Sequence, residues 1–112
     1  MKRGEIWTVA ANLDYAGKPR PAVIVQDDSF DATLSVTVCM FTTDPTEAPM
    51  LRVPVVPSAE NGLREPCRLR VDMLTTGPRG RLGGRVGKLE DDVLQRLNVS
   101  LLVFLGLAGS AR

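Results

Sequence analysis

The side chains that could carry chemistry in this 112-residue sequence are arginines, carboxylates and threonines, because it contains no histidine. That absence excludes Ser-His-Asp and Cys-His catalysis and the two-histidine route of many ribonucleases. The sequence also has no CxxC motif and no set of carboxylates at metal-ligand spacing, so it predicts no metal site and no cofactor. An enzyme with this composition must transfer protons with Arg, Asp, Glu, Thr or Lys.

Arg20 is the first candidate, because it lies between Pro19 and Pro21 at the start of an apolar run. The two prolines fix φ and push their neighbours toward extended geometry. Arg20 is therefore held stiffly where a strand begins, and it could dock a ligand or act in catalysis. The alternative is a solvated arginine that precedes an edge strand.

Arg70 and Asp72 form the second candidate. Their strand alternates strictly, and the face predicted to meet the core carries Cys67, Leu69, Val71 and Met73. Residues two apart on a strand point to the same face, so Asp72 could accept a proton beside an arginine that binds phosphate and lowers the carboxylate's pKa. The alternative is an ion pair on an exposed strand, which contributes ~0.2–1 kcal/mol.

The elements that must position these residues are short strands followed by one helix. Alternating and β-branched runs predict strands at 5–9, 21–26, 34–41, 50–56, 67–74 and 83–88. Pro54 cannot donate to a ladder, so its strand is predicted to lie at an edge or a bulge. Asn61-Gly62 predicts a tight turn. This pattern predicts a mainly β (α+β) fold, a small, partly open β-barrel with a C-terminal helix.

The helix is predicted over about 90–106. Acidic residues in its first turn suit the helix dipole, and Gly106 fits its end. Apolar residues at helical spacing predict a stripe that faces the core: Val93, Leu97, Leu101, Phe104 and Leu105.

Length and charge set further limits. A chain of 112 residues fits one domain, and a net charge of +1 leaves nucleic-acid binding to a local patch. No apolar run approaches ~18 residues and no signal core follows the N-terminus, which predicts a cytoplasmic protein without a membrane segment. Cys39 and Cys67 lie in predicted strands, so they are interpreted as buried thiols and not as a disulfide.

Three motifs carry a resemblance to a known family. Arg3-Gly4-Glu5-Ile6-Trp7, then Arg20-Pro21-Ala22-Val23-Ile24-Val25, then a strand that ends in Thr42-Thr43, resemble the MazF/PemK (Kid) toxins, the mRNA interferases of bacterial toxin–antitoxin modules. The likeness continues through Arg70-Val71-Asp72 and into the helix. It implies one toxin domain over residues 1–112 and an SH3-like barrel of the PemK/CcdB type.

The resemblance also implies an activity and partners. These would be metal-independent, sequence-selective cleavage of single-stranded RNA, with 2′,3′-cyclic phosphate and 5′-hydroxyl ends, a homodimer, and an antitoxin with an acidic C-terminal tail. The implied catalytic residues are Arg20, Thr42, Arg70 and Asp72. Arg20 and Arg70 would stabilise the phosphate, Thr42 would hydrogen-bond it and Asp72 would accept the proton.

Residues expected to contact RNA lie in loops and turns around these positions: Asp14, Tyr15, Lys18, Thr43, Arg79 and Arg81. Asp14 lies near a loop acid that some family members use as a base. Tyr15 could stack on an unpaired base or be an exposed loop residue. Arg79 and Arg81 belong to a basic cluster that could bind RNA phosphate or the antitoxin's tail, or be a solvated turn.

Two other functions remain open. A toxin of the same fold could bind a protein target such as DNA gyrase without chemistry, or the chain could be an inactive homologue that binds antitoxin. A pure binding protein has no need of Arg20, Thr42, Arg70 and Asp72, and their presence favours the endoribonuclease.

Overall fold

One antiparallel sheet organises the computed structural model, which describes residues 1–10 and 18–108. Its strands are β1 Glu5–Val9, β2 Arg20–Ile24, β3 Ser35–Thr42, β4 Arg52–Val55, β5 Cys67–Pro78 and β6 Leu82–Lys88. Helix α1 covers Asp91–Phe104, and short 3-10 helices cover Asp28–Phe30 and Arg79–Arg81. The strand order is β4-β5-β3-β2-β1-β6, and the edge strands do not pair within the described ranges. The predicted mainly β, partly open barrel with a C-terminal helix is confirmed.

Apolar clusters cover both faces of the sheet. The larger cluster joins the sheet to α1, whose buried members are Val93, Leu97 and Leu101. The smaller cluster lies on the opposite face and consists of Ala22, Ile24, Val36 and Val38. Successive residues of a strand point to opposite faces. For this reason β2 sends Val23 to the larger cluster and its neighbours Ala22 and Ile24 to the smaller one.

β4 is an edge strand, as its proline predicts. Pro54 lies opposite Arg68 of β5 and is exposed. Proline has no N–H to donate, so an edge is a position that it tolerates. Its neighbours Val53 and Val55 are buried and attach the strand to the core.

β5 carries a bulge where it passes β3. Cys39 of β3 lies opposite Leu74, whereas Phe41, two residues later, lies opposite Leu69. Residues 70–73 of β5 therefore face a single residue of β3. Bulges bend a strand and are common beside active sites, where they re-aim side chains. Arg70 and Asp72 both lie in this four-residue bulge.

The bulge determines which side chains of β5 reach the core. Three residues of the apolar face, which lie before the bulge or in its first half, are buried as predicted: Cys67, Leu69 and Val71. Met73 is 40% exposed, so the prediction that it joins the core is wrong. The reason is that the bulge interrupts the two-residue alternation. Cys39 and Cys67 are both buried free thiols, as predicted.

α1 begins and ends close to the predicted positions, but its last turn differs. Val93, Leu97 and Leu101 are buried as predicted, whereas Phe104 and Leu105 are 45% and 51% exposed. The prediction for these two is wrong, since every described residue after Leu101 is exposed. Leu105 lines a surface pocket with Thr37 and Leu74 and is not covered by the sheet. Gly106 has a φ of +74° and ends the helix as predicted. No helix among the described residues is long and apolar enough to span a membrane.

The predicted turn at Asn61 and Gly62 is confirmed, and it ties β6 to the start of α1. The fully buried Asn61 amide donates to the Val56 carbonyl at 2.8 Å and to the Glu90 carboxylate at 3.3 Å. Gly62 has a φ of +70°. A Cβ on Gly87 of β6 would lie 2.4 Å from the Asn61 carbonyl. The loop, β6 and the helix terminus therefore depend on one another.

Candidate active site

Asp72 lies between two arginines on the bulged part of β5. Its Oδ1 accepts a hydrogen bond from Arg52 Nη1 at 2.9 Å, and its Oδ2 lies 3.6 Å from Arg70 Nη2. Arg52 comes from β4, where it is paired with Arg70 across the ladder. The predicted same-face placement of Arg70 and Asp72 is confirmed. Sequence reasoning missed Arg52.

These three side chains are partly covered. Their exposed fractions are 18% for Arg52, 29% for Asp72 and 32% for Arg70. Partial burial favours the neutral form of Asp72, but the charges of Arg52 and Arg70 and nearby hydrogen bonds outweigh it and hold the pKa of Asp72 below its ordinary value. Asp72 is therefore ionised at neutral pH, and two guanidinium groups surround one carboxylate.

Arg20 and Thr42 lie in the same row of the sheet. Arg20 is paired with Val9 of β1. The β2–β3 ladder pairs Ala22 with Met40, and continuing this register by two residues brings Arg20 opposite Thr42. The Thr42 Oγ1 accepts from the Asp44 N–H at 3.1 Å, which leaves the hydroxyl hydrogen able to donate.

The alternation of the strands places all four predicted catalytic residues on one face. Val23, Cys39 and Leu69 point to the larger cluster, beneath α1, so the residues that alternate with them point away from α1. Thr42 lies opposite Arg68 on β5, two residues before Arg70. The structure thus brings Arg20, Thr42, Arg70 and Asp72 to the same end and the same face of the sheet.

The residues predicted to contact RNA fall into three groups. Lys18 and Thr43 are exposed and flank the row that contains Arg20 and Thr42. Arg79 and Arg81 lie beyond the other end of β5, roughly 30 Å of strand from Arg70 at ~3.3 Å per residue. Asp14 and Tyr15 lie outside the described residues.

Arg79 already has partners within the protein. Its Nε donates to the Thr33 carbonyl at 2.8 Å, and its Nη2 lies 3.3 Å from the Thr33 hydroxyl. These bonds attach the end of β5 to the segment that precedes β3. Contact of Arg79 with RNA stays a prediction, and it would use the remaining guanidinium donors.

The donor set at this site does not suit a divalent cation. The one carboxylate of the cluster, Asp72, is bound to two arginines, whereas Mg²⁺ and Ca²⁺ take several oxygen ligands. In the part of the chain that the structure describes, no three His, Cys, Asp or Glu side chains are grouped to hold a metal ion. The arrangement is instead suited to an anion, which the arginines can bind through charge-assisted hydrogen bonds.

Comparison with known proteins gives a consistent result. The family profile of the PemK-like, MazF-like toxins of type II toxin–antitoxin systems matches residues 2–105. A protein of Mycolicibacterium smegmatis, described as a probable endoribonuclease MazF, is 51% identical over 109 residues, which cover 97% of this chain and 100% of that protein.

Solved structures share the fold. The Mycobacterium tuberculosis toxin MazF-mt6 has a TM-score of 0.76 at 26% identity, covering 92% of this chain and 97% of its own. A mycobacterial endoribonuclease in complex with its cognate antitoxin has a TM-score of 0.77 at 21% identity, covering 98% and 99% of the two chains. With a profile match over almost its whole length and a relative at 51% identity, the chain belongs to the PemK-like, MazF-like toxins of type II toxin–antitoxin systems.

Proposed function

We propose that this toxin is a sequence-selective endoribonuclease, an mRNA interferase that cuts single-stranded RNA without a metal ion. The ribose 2′-OH gives up its proton and attacks the adjacent phosphorus, the bond to the 5′-oxygen breaks, and that oxygen takes up a proton. The products carry a 2′,3′-cyclic phosphate and a 5′-hydroxyl. The observation that carries this proposal is the cluster of Arg70, Asp72 and Arg52 on the face and at the sheet end shared by Arg20 and Thr42. The description of the M. smegmatis relative as a probable endoribonuclease supports it.

The arginines supply the main chemical contribution. The reaction builds negative charge on the phosphorane, and fixed cations and donors that meet this charge lower the barrier. Arg20 and Arg70 are assigned to that role, since guanidinium groups stay charged and can bind two phosphate oxygens at once. The Thr42 hydroxyl donates a further hydrogen bond to the scissile phosphate.

We assign Asp72 as the base that accepts the proton of the 2′-OH. It is ionised at neutral pH, so it can accept a proton, but its lowered pKa makes it a weak base. Electrostatic stabilisation by the arginines therefore contributes more to the rate than proton transfer does. Lys18, Thr43 and Arg81 are assigned to the flanking RNA, together with Asp14 and Tyr15 of the segment between β1 and β2.

The exposed apolar end of α1 supports a homodimer. The exposed large apolar residues there are Val99, Leu102, Val103, Phe104, Leu105 and Leu107. Apolar patches of this kind on small proteins mark interfaces, and we assign this one to a second copy of the chain. An antitoxin with an acidic C-terminal tail would then bind the arginine-rich face and block it. In this proposal residues 1–112 act as one domain. We also propose that the protein acts in the cytoplasm, because its RNA substrate is found there.

The test is incubation of the purified, antitoxin-free protein with a long single-stranded RNA in EDTA. Arg20→Ala and Asp72→Ala are run beside it, with Arg96→Ala, on the exposed side of α1, as the control. Discrete cuts that bear cyclic phosphates, weakened in the first two variants and unchanged in the third, are expected. Cuts that persist in Asp72→Ala would move the proton acceptor elsewhere, with Asp14 next. If the folded protein cuts no RNA, the endoribonuclease is excluded and a protein target such as gyrase, or an inactive homologue, takes its place.

A further inference from the structure

The bond between Arg52 and Asp72 is the tightest contact in the site. Arg52 Nη1 donates to Asp72 Oδ1 at 2.9 Å, whereas Arg70 approaches Asp72 at 3.6 Å, which is beyond normal hydrogen-bond distance. The same Nη1 also donates to the Leu51 carbonyl at 2.9 Å. Arg52 is thus fixed to its own strand and holds Asp72 from there.

Asp72 needs such a support because the sheet does not fix its position. It lies within the bulge, so β3 offers no regular ladder to it. The ladder to β4 reaches only as far as the pair of Arg52 with Arg70, followed by one bond from the Val71 N–H to the Leu51 carbonyl at 3.0 Å. Beyond this bond the ladder to β4 ends, so the side chain of Arg52 fixes the position of the Asp72 carboxylate.

We infer that Arg52 is a positioning residue of the active site, which holds Asp72 toward β4 and leaves the guanidinium of Arg70 available to the RNA phosphate. This inference rests on the proposed function. Without Arg52, the Asp72 carboxylate is free to form a two-bond pair with Arg70, the favoured geometry for arginine and carboxylate. The positive charge of Arg70 would then be paired with Asp72 and would no longer be available to stabilise the phosphorane.

Arg70 itself shows spare donor capacity. Its Nε is buried and has no hydrogen-bond partner within the described residues, and its side chain is a third exposed. A guanidinium offers five N–H donors, and Asp72 engages none of them at hydrogen-bond distance. The buried Nε is out of reach of a ligand in this side-chain position, so a phosphate would bind at the exposed part of the guanidinium.

The kinetic test uses Arg52→Gln, Arg52→Lys and the double variant Arg52→Gln/Asp72→Asn, on an RNA oligonucleotide that contains a mapped cleavage site. Arg52→Gln should lower kcat by about tenfold or more, as expected for a displaced catalytic group. KM should change by less than about threefold, because other phosphate contacts hold the RNA. Arg52→Lys should recover part of the lost kcat, since it restores the charge with fewer bonds.

Arg96→Gln is the matched control. Arg96 makes an arginine–carboxylate bond of similar length, 3.0 Å to Asp92, on the exposed surface of α1. Its replacement should leave kcat unchanged. The double variant should be no slower than Asp72→Asn alone, because Arg52 acts through Asp72. Losses that add in the double variant, or an unchanged kcat in Arg52→Gln, would overturn the inference.

A titration separates this inference from the proposed function, because it needs no RNA. The carboxyl carbon of Asp72 is followed by NMR in the wild type, Arg52→Gln and Arg96→Gln. The charged or titratable groups around it are Arg52, Arg70 and the Cys39 thiol. Loss of Arg52 should raise the pKa of Asp72, because the carboxylate then has one guanidinium beside it in place of two, and closer pairing with Arg70 restores only part of that stabilisation. Loss of Arg96 should leave the pKa of Asp72 unchanged. If the wild type cuts no RNA, the proposed function fails, while an unaltered Asp72 titration in Arg52→Gln would refute the role of Arg52.

Discussion

The thiol of Cys39 donates a hydrogen bond to the main-chain carbonyl of Arg70, with 3.1 Å between Sγ and O. Cys39 belongs to the fully buried core of β3, and Arg70 opens the bulge of β5. Burial, with a further contribution from the negative charge of Asp72, raises the pKa of Cys39 to about 12. The thiol therefore stays protonated, and through this hydrogen bond the core supports the main chain of the candidate active site.

Thiol reactivity follows from this burial. The pKa of Cys67 is also raised, to about 11, mainly by burial, and thiolates are the reactive species. Neither thiol of the native protein should react with Ellman's reagent at pH 8, whereas two thiols per chain should react in urea. Prompt modification of the folded protein would contradict the buried positions, and a Cys39→Ser variant would identify the residue responsible.

Replacement by alanine should destabilise the protein at Gly87 of β6 and should have little effect at Gly84 of the same strand. A Cβ on Gly87 would meet the Asn61 carbonyl at 2.4 Å, whereas a Cβ on Gly84 would have nothing within 4 Å. Gly87→Ala should lower the free energy of unfolding by ~2–4 kcal/mol or prevent folding, because main-chain atoms must move. Gly84→Ala should stay within ~0.5 kcal/mol of the wild type. Urea unfolding of both variants checks this, and equal stability of the two would contradict the close packing.

Glu90 should make the protein more stable at neutral than at acidic pH. The hydrogen bond from the Ser58 hydroxyl is the main cause that holds the pKa of Glu90 below its ordinary value, against the effect of burial. A carboxyl with a lowered pKa in the folded state stabilises it above the unfolded pKa, and this stabilisation is lost as pH falls through the folded pKa.

The variant Glu90→Gln tests that sign. It should lower the free energy of unfolding by ~1–2 kcal/mol at pH 7, the scale of a hydrogen bond to a charged group. The difference from the wild type should shrink as the pH falls through the folded-state pKa of Glu90, where the carboxyl of the wild type becomes protonated. Glu60→Gln, on the exposed part of the same loop, should change little at neutral or acidic pH. An unfolding difference that does not depend on pH would show that the charge of Glu90 is not involved.

The apolar end of α1 gives a prediction about association. Leu105→Glu places a charge in the exposed patch and should convert a dimer into a monomer, as measured by light scattering with size-exclusion chromatography. Leu34→Glu is the control, because Leu34 is 91% exposed but precedes β3, away from α1. It should leave the dimer intact. A dimer that persists in Leu105→Glu would place the interface on another surface.

Strand positions were predictable because they depend on local patterns. Alternation in β5 correctly assigned Leu69 and Val71 to the core and Arg70 to the opposite face. The same rule failed at Met73 because it assumes an unbroken ladder, and the bulge arises from pairing with β3. Likewise, helical spacing could not reveal that the sheet leaves Phe104 and Leu105 uncovered.

Arg52 could not be assigned to the site for a related reason. Arg52 lies in the strand predicted at 50–56, and nothing within that strand indicates its partner. Its partner depends on β4 pairing with β5 and on the register that sets Arg52 opposite Arg70. Such long-range register is not encoded in the spacing of residues within one strand.

The pairing of β1 with β6 connects Glu5 to Lys88, and the Leu89 N–H donates to the Gly4 carbonyl at 2.9 Å. Contacts between residues so far apart in the sequence form slowly during folding. At 5–20 residues per second, a ribosome needs roughly 4–16 s after it has made β1 before β6 exists. During synthesis β1 can pair with β2 early, but its other edge has no partner until β6, the last of the six strands along the chain, has been translated. A product of interrupted translation that lacks β6 would therefore expose one edge of β1, while the other edge pairs with β2.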